Sequence, residues 1–117
     1  MLVSTSDTGV KSNSSSFSPA LSGDGTRVGF TSNATNLDAA DTDNGQDVYV
    51  KDVLTDDLSL VSTSFSGVKG DGSSSDSSLS VEGRWVAFRT LADNFDPTDN
   101  DNSSDIYLKD LSTFHIS

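Results

Sequence analysis

The 117-residue chain is predicted to fold as an all-β protein made of two copies of one antiparallel unit. The sequence repeats itself with a period of 58 residues, because LVSTS at residues 2–6 returns at 60–64 and DVYVKD at 47–52 returns as DIYLKD at 105–110. Its apolar residues fall in short segments bounded by Gly, Asn, Asp and Ser, a pattern typical of strands and turns. The same polar residues interrupt every window long enough to start a helix.

The length of the repeat favours a particular architecture. Periods of roughly 40 to 60 residues are typical of β-propeller blades and of repeat arrays, in which one unit cannot bury its apolar face alone. The alignment runs without a gap through the polar loops as well as the strands. We therefore predict one two-blade propeller unit over residues 1–117, with repeat 1 at about 1–58 and repeat 2 at about 59–117.

Each repeat is predicted to contain four short strands, A to D. The predicted segments are strand A at 19–22 and 77–80, strand B at 27–32 and 84–88, strand C at 47–52 and 105–110, and strand D at 58–64 in repeat 1. Strand C has three successive apolar residues, which predicts burial on both faces, since a half-exposed strand would alternate. Strand D alternates better and suits the outer edge of the sheet.

Two connections in each repeat are short and two are long. Asp24-Gly25 marks a tight A–B turn, because Gly adopts positive φ without steric cost. The C–D link at 54–57 is also short, whereas the B–C and D–A links are long and rich in Asp and Ser. In an antiparallel meander the long links lie together at one end of the sheet, so we expect the binding surface there.

The order of these segments resembles the TolB-like β-propeller repeat. Residues 21–37, LSGDGTRVGFTSNATNL, followed by QDVYVKD at 46–52, are similar to its Asp-Gly turn, its Val-x-Phe strand B and its Asp-Val-Tyr-Val strand C. The resemblance implies radially packed blades, commonly six, in periplasmic or secreted proteins that mostly bind other proteins, some of them attached to hydrolase domains. Repeat 2 departs from the pattern at Glu82 and Ser103.

Two blades are too few to close a ring, since propellers have about four to eight. Ser117 aligns with Ser59 and Leu2 with Leu60, so strand D of repeat 2 is expected to be completed by the start of another copy. We therefore expect head-to-tail association, with a homotrimer forming a six-bladed ring and rings of four or eight blades as alternatives. The other interpretation is a fragment of a larger TolB-like propeller protein.

The loop before strand C contains the sharpest chemical feature, a set of regularly spaced aspartates. The candidate ligands for Ca²⁺ are Asp38, Asp41, Asp43, Asp47, Asp96, Asp99, Asp101 and Asp105. Ca²⁺ prefers six to eight oxygen ligands. The spacing only partly fits an EF-hand-like loop, because Gly45 or Ser103 occupies its fifth position and its final Glu is absent. The alternative is that these side chains hold the loop through Asx turns.

The formal net charge of −11, with seven Lys and Arg in all, disfavours nucleic acids and anionic membranes as partners. The polar residues after Val3 argue against a secretory signal. His115 is the only histidine, and no nucleophile motif occurs, so we expect no enzyme activity.

Lys51 and Asp52 are predicted to form a surface ion pair. The sequence thus favours a non-enzymatic binding or scaffold module that presents an acidic loop face, with a calcium-dependent or carbohydrate-binding propeller as the alternative.

Overall fold

The computed structural model describes residues 1–41, 43, 45–64, 66–96, 98 and 103–113. These residues form seven strands: β1 (Ser16–Leu21), β2 (Arg27–Ser32), β3 (Asp47–Asp52), β4 (Leu58–Leu60), β5 (Ser74–Leu79), β6 (Trp85–Thr90) and β7 (Asp105–Asp110). Strands β1-β2-β3-β4 make one antiparallel sheet, which we call blade 1, and β5-β6-β7 make a second, blade 2. The predicted all-β class is confirmed. Within the described part of the chain, no helix is long and apolar enough to cross a membrane.

In repeat 1 the predicted strand bounds are correct for β2 and β3, whereas β4 ends at Leu60, four residues before the predicted end of strand D. Apolar and β-branched residues occupy the centre of each of these two strands, with Val28, Phe30 and Thr31 in β2 and residues 48–50 in β3. β1 begins three residues earlier than predicted, at Ser16, and contains an irregularity between Phe17 and Ala20 where Ser18 has a φ of 54°. The start of strand D in repeat 2 lies outside the described residues, so blade 2 is described with three strands.

Each blade has two faces, which the pairing of its central strands defines. In blade 1, Phe30 lies opposite Tyr49 on what we call the front face, and Gly29 lies opposite Val50 on the back face. Phe30 and Tyr49 stack with their ring centroids 5.8 Å apart. Residues of the following loop and the partly buried Val3 pack over them. The front face of blade 1 therefore has a core of its own.

The two blades pack with the back face of blade 1 against the front face of blade 2. Val48 and Val50 join one buried cluster with Phe88 and Tyr107 of blade 2. A Cβ atom at Gly29 would lie 2.7 Å from the Ser77 hydroxyl oxygen of β5, so a larger residue would force side chains of β5 to move. We call this packed surface the blade junction.

Strand C is buried on both faces in blade 1 but not in blade 2. Val48 and Val50 are 0% and 2% exposed, whereas Ile106 and Leu108, which follow them by one repeat, are 70% and 41% exposed. The prediction of two-sided burial is correct for β3 and wrong for β7 within one chain. The reason is that blade 2 covers the back face of β3, while nothing in the described part of the chain covers the back face of β7.

Candidate functional site

The loop before β3 brings three of the predicted aspartates together. Carboxylate oxygens of Asp41, Asp43 and Asp47 all lie within 4.8 Å of one another, and we call these residues the acidic cluster. Asp41 and Asp47 are buried, while Asp43 is exposed. Carboxylates this close repel one another, so the cluster needs a cation or a bound proton nearby.

Short-range hydrogen bonds to the main chain shape this loop. The Asp43 carboxylate accepts a hydrogen bond from the Gly45 amide at 2.9 Å, and the Asp38 carboxylate accepts one from the Ala40 amide at 2.8 Å. Both are Asx turns, in which a short acidic side chain bonds the main chain two residues later. The structural role predicted for these aspartates is thus present in this loop for Asp38 and Asp43.

The neighbouring strands supply hydroxyl donors to the buried carboxylates. The Tyr49 hydroxyl donates to Oδ2 of Asp41, and the Ser62 hydroxyl donates to Oδ1 of Asp47 at 3.3 Å. Oδ1 of Asp41 and Oδ2 of Asp47 are buried and make no hydrogen bond within the described part of the chain. The cluster therefore retains acceptor capacity in a place that water reaches poorly.

Lys69 supplies the positive charge. Its Nζ lies 2.9 Å from Asp43 Oδ2, 3.1 Å from Asp47 Oδ1 and 3.9 Å from Asp41 Oδ1. Lys69 belongs to the loop that leads from β4 of blade 1 into β5 of blade 2, and its side chain is 14% exposed. The ion pairs therefore tie the B–C loop of blade 1 to the first loop of the next repeat.

Burial and charge shift the pKa values of these groups in different directions. Burial and the nearby Asp41 carboxylate raise the pKa of the Asp47 carboxyl to about 7, against the opposing effect of Lys69. The hydrogen bond from Lys69 lowers the pKa of Asp43. Burial lowers the pKa of Lys69, but its bonds to Asp43 and Asp47 outweigh this effect and raise it overall. Burial also raises the pKa of the Tyr49 hydroxyl, so Tyr49 remains a proton donor.

The other predicted ligands lie elsewhere. Asp38 is outside the acidic cluster. Asp96 bonds the main-chain amide and the hydroxyl of the residue two positions later. Asp99 and Asp101 are outside the described residues, and Asp105 is half-buried at the start of β7. The structure thus brings together three of the eight predicted ligands.

A divalent cation at the acidic cluster would have to share or replace the Lys69 ammonium group. Three carboxylates with two unbonded buried oxygens suit a hard cation such as Ca²⁺. Lys69 already provides one positive charge at hydrogen-bonding distance from two of them. The arrangement can therefore act as an ion-pair junction as it stands, and as a cation site only if Lys69 withdraws.

Sequence reasoning missed Lys69 as a member of the site. The signal was present, because GVK at residues 9–11 returns at 67–69 in the second repeat. Lys69 and Asp43 are 26 positions apart in sequence. The pattern could not show that their side chains meet, because only the packing of the two blades brings them together.

The predicted surface pair of Lys51 with Asp52 is wrong. Lys51 is fully buried, and its Nζ donates to the carbonyl oxygens of Thr5 at 3.2 Å and Ser6 at 3.1 Å. Its ion-pair partner is Asp56, at 3.1 Å. Because the D–A loop folds over the end of strand C, this lysine fastens the loop to the blade.

Lys109 repeats this fastening in blade 2. Its Nζ donates to the carbonyl oxygens of Thr63 at 2.8 Å and Ser64 at 3.2 Å. Burial lowers the pKa of Lys109 to about 8. Each blade thus holds its D–A loop through a buried ammonium group.

An open groove of about 270 Å³ lies on the front face of blade 1, between its first strand and the N-terminal segment. Its lining includes Val3, Phe17, Pro19, Val28 and Phe30. In blade 2 the matching face is covered by Val48 and Val50 of blade 1, so the groove marks the place that a preceding blade would cover.

The sheet order and the packing of one back face on the next front face define the chain as a pair of β-propeller blades. Among solved structures, the chain is similar to TolB from Acinetobacter baumannii, with a TM-score of 0.57 and 20% sequence identity. The match covers 92% of this chain and 22% of that one, so the chain spans about a fifth of the length of TolB.

The predicted TolB-like blade fold is confirmed by this similarity, which at 20% identity concerns the fold alone. No protein-family model matches the chain, and no curated protein sequence matches it. What the blades bind therefore has to be argued from their own surfaces.

Proposed function

We propose that the chain is a non-enzymatic propeller module whose blades join those of further copies head to tail, and which presents its acidic loops as a protein-binding face. The observation that carries the proposal is an accessible apolar surface at each of the two sides of the described unit. Ile106 and Leu108 are exposed on the back face of blade 2, and a groove is open on the front face of blade 1.

The blade junction inside the chain supports a second copy as the occupant of these faces. Val48 and Val50 of blade 1 pack on Val86 and Phe88 of blade 2. Ile106 and Leu108, which follow Val48 and Val50 by one repeat, are apolar as well. Val28 and Phe30, which precede Val86 and Phe88 by one repeat, line the groove. At these four positions the two open faces therefore have apolar residues, as the two joined faces do.

A ring closes if the turns at successive junctions add up to a full circle without a shift along the ring axis. Three copies would supply six blades, the number that the TolB-like resemblance implies, and rings of four or eight blades are the alternatives. A surface of Ile, Leu, Val and Phe left in water favours association, at roughly 25 cal/mol for each Å² of apolar area removed from water.

The acidic loops support the binding role. The B–C and D–A loops of blade 1 lie together, because Asn13 Nδ2 donates to the Thr35 hydroxyl at 2.9 Å and Asn36 Nδ2 donates to the Lys11 carbonyl at 2.9 Å. Exposed carboxylates such as Asp43 lie at the same end of the blade. Such a surface suits a partner with a basic patch, which opposite charge would steer to it.

The head-to-tail arrangement is tested by a variant with both Ile106→Ser and Leu108→Ser. Sedimentation velocity should show that the wild-type chain associates, while the variant sediments as a folded monomer with an unchanged circular-dichroism spectrum. The matched control has Val48→Ser and Val50→Ser, at the corresponding positions of the junction inside the chain. This control variant should unfold. Equal association of the wild type and the Ile106/Leu108 variant would refute the arrangement.

A second candidate is a calcium-dependent binder, and the buried, unbonded oxygens of Asp41 and Asp47 favour it. Ca²⁺ would raise the thermal midpoint by mass action if it binds the native state. Because Lys69 competes for the same carboxylates, millimolar Ca²⁺ should stabilise Lys69→Met more than the wild type. No stabilisation of either protein would remove the metal from consideration.

A further inference from the structure

We propose that Lys11 of one copy forms an ion pair with Asp105 of the next copy, and that this contact sets the register of the junction between copies. The inference rests on the proposed head-to-tail association and deepens it by naming a polar contact that selects the partner. It comes from the junction inside the chain, where Lys69 pairs with Asp47 at 3.1 Å. Lys11 precedes Lys69 by one repeat, and Asp105 follows Asp47 by one repeat.

The loop that carries Lys11 has the same main-chain hydrogen bonds as the loop that carries Lys69. The Ser6 amide bonds the Val10 carbonyl at 2.8 Å, as the Ser64 amide bonds the Val68 carbonyl at 2.7 Å. Each loop closes with an isolated bridge, Thr5 with Lys11 and Thr63 with Lys69.

The turn and the anchoring side chain of the two loops also agree. Gly9 and Gly67 have φ values of 85° and 86°. An asparagine of the following B–C loop, Asn36 or Asn94, donates to the lysine carbonyl at 2.9 Å in each. Lys11 is therefore held in the same backbone setting as Lys69.

Asp105 has the same place in blade 2 that Asp47 has in blade 1. Asp47 is the first residue of β3 and pairs with Ser32, the last residue of β2. Asp105 is the first residue of β7 and pairs with Thr90, the last residue of β6. Repeating the blade junction would bring the Lys11 ammonium group of one copy to the Asp105 carboxylate of the other.

Lys69 and Lys11 differ in their surroundings, as expected if Lys11 makes its ion pair only with another copy. Lys69 is 14% exposed and lies against three carboxylates. Lys11 is exposed, and within the described part of the chain no carboxylate is within ion-pairing distance of its ammonium group. The difference is that blade 1 precedes Lys69, whereas no described blade precedes Lys11.

An ion pair at this position would fix the register of the junction, which its apolar residues do not fix. Packed Ile, Leu and Val side chains are non-directional, so by themselves they tolerate sliding of one blade along the next. A chain with a net charge of −11 also repels its own copies, and a lysine at the loop end of the junction opposes that repulsion locally.

The test compares dissociation constants from sedimentation for the wild type and four variants of the full chain. Lys11→Met should raise the dissociation constant about 10- to 100-fold, because it removes the ammonium group that opposes the acidic residues at the junction. Leu54→Glu makes the same change in net charge at a 79% exposed turn and should stay within about twofold of the wild type. Lys11→Asp should weaken association further, and adding Asp105→Lys to it should restore association.

The outcomes separate the ion pair from the association itself. If the wild type associates and Lys11→Met associates equally well, or if the charge-swapped double variant fails to recover although its monomer is folded by circular dichroism, the ion pair is refuted and the apolar junction stands. If the wild type is monomeric at all concentrations, the head-to-tail association fails and the ion pair fails with it.

Discussion

The Lys69 ammonium group and the Asp47 carboxylate meet 3.1 Å apart across the boundary between two blades. Asp47 begins β3 of blade 1, and Lys69 lies in the loop that leads into blade 2. Asp47 is fully buried, so this contact balances a charge that the fold has removed from water. The blade junction therefore includes a specific polar contact beside its apolar packing.

Replacing Lys69 should destabilise the monomer, whereas the same replacement at Lys11 should not. Lys69→Met leaves Asp41 and Asp47 buried without a cation, which typically costs about 3–5 kcal/mol. Lys11→Met removes an exposed side chain and should change the free energy of unfolding by less than about 0.5 kcal/mol. Urea unfolding of both variants, at dilutions where the chain is monomeric, measures the difference. Equal losses would mean that the acidic cluster does not depend on Lys69.

Stability should fall as the pH rises through the weakly acidic range. The pKa of Asp47 is raised from 3.8 to about 7 in the folded chain, so between pH 4 and 7 the native state binds more protons than the unfolded state. The contribution of this group to stability is complete below about pH 4 and is lost as the pH approaches 7. Asp47→Asn should flatten the slope. An unchanged slope in Asp47→Asn would assign the pH dependence to other groups.

Lys109 should produce an opposite slope in the alkaline range. Burial lowers its pKa from 10.5 to about 8, so between pH 8 and 10.5 the unfolded state binds more protons and stability rises with pH. Denaturant midpoints at pH 8, 9 and 10 should increase for the wild type. In Lys109→Met the increase should be absent, and its persistence would show that Lys109 is not the group responsible.

The back face of blade 2 departs from that of blade 1 in a way that should weaken the junction between copies. Ala87 and Arg89 stand where Gly29 and Thr31 lie in the internal junction. A Cβ at Gly29 would meet Ser77 at 2.7 Å, and Thr31 is fully buried. Ala87→Gly combined with Arg89→Thr should therefore strengthen association at least severalfold in sedimentation equilibrium. Weaker association of this variant would place the partner's contact elsewhere on blade 2.

Much of the fold could be predicted because the pattern of strands and turns occurs twice in the sequence. The bounds of β2 and β3 could be predicted because apolar residues at the centre of each strand recur at the same positions in the second repeat. The early start of β1 could not be predicted, because Ser18 continues the strand only by adopting a positive φ that a local pattern does not indicate.

The candidate site was predictable in part. The spacing of Asp41, Asp43 and Asp47 identified an acidic loop, but their ammonium partner comes from another blade and depends on long-range packing. Lys51 was assigned to the surface because lysine at a strand end is usually exposed. A loop distant in sequence provides the carbonyl oxygens that allow its burial.

Static light scattering of the wild-type chain over a range of concentrations tests the central claim most directly. Head-to-tail joining of blades predicts a closed assembly, with three times the 12.3 kDa mass of one chain for a six-bladed ring, and no larger species as the concentration rises. A single species of 12.3 kDa that remains folded and monomeric at every concentration would contradict it.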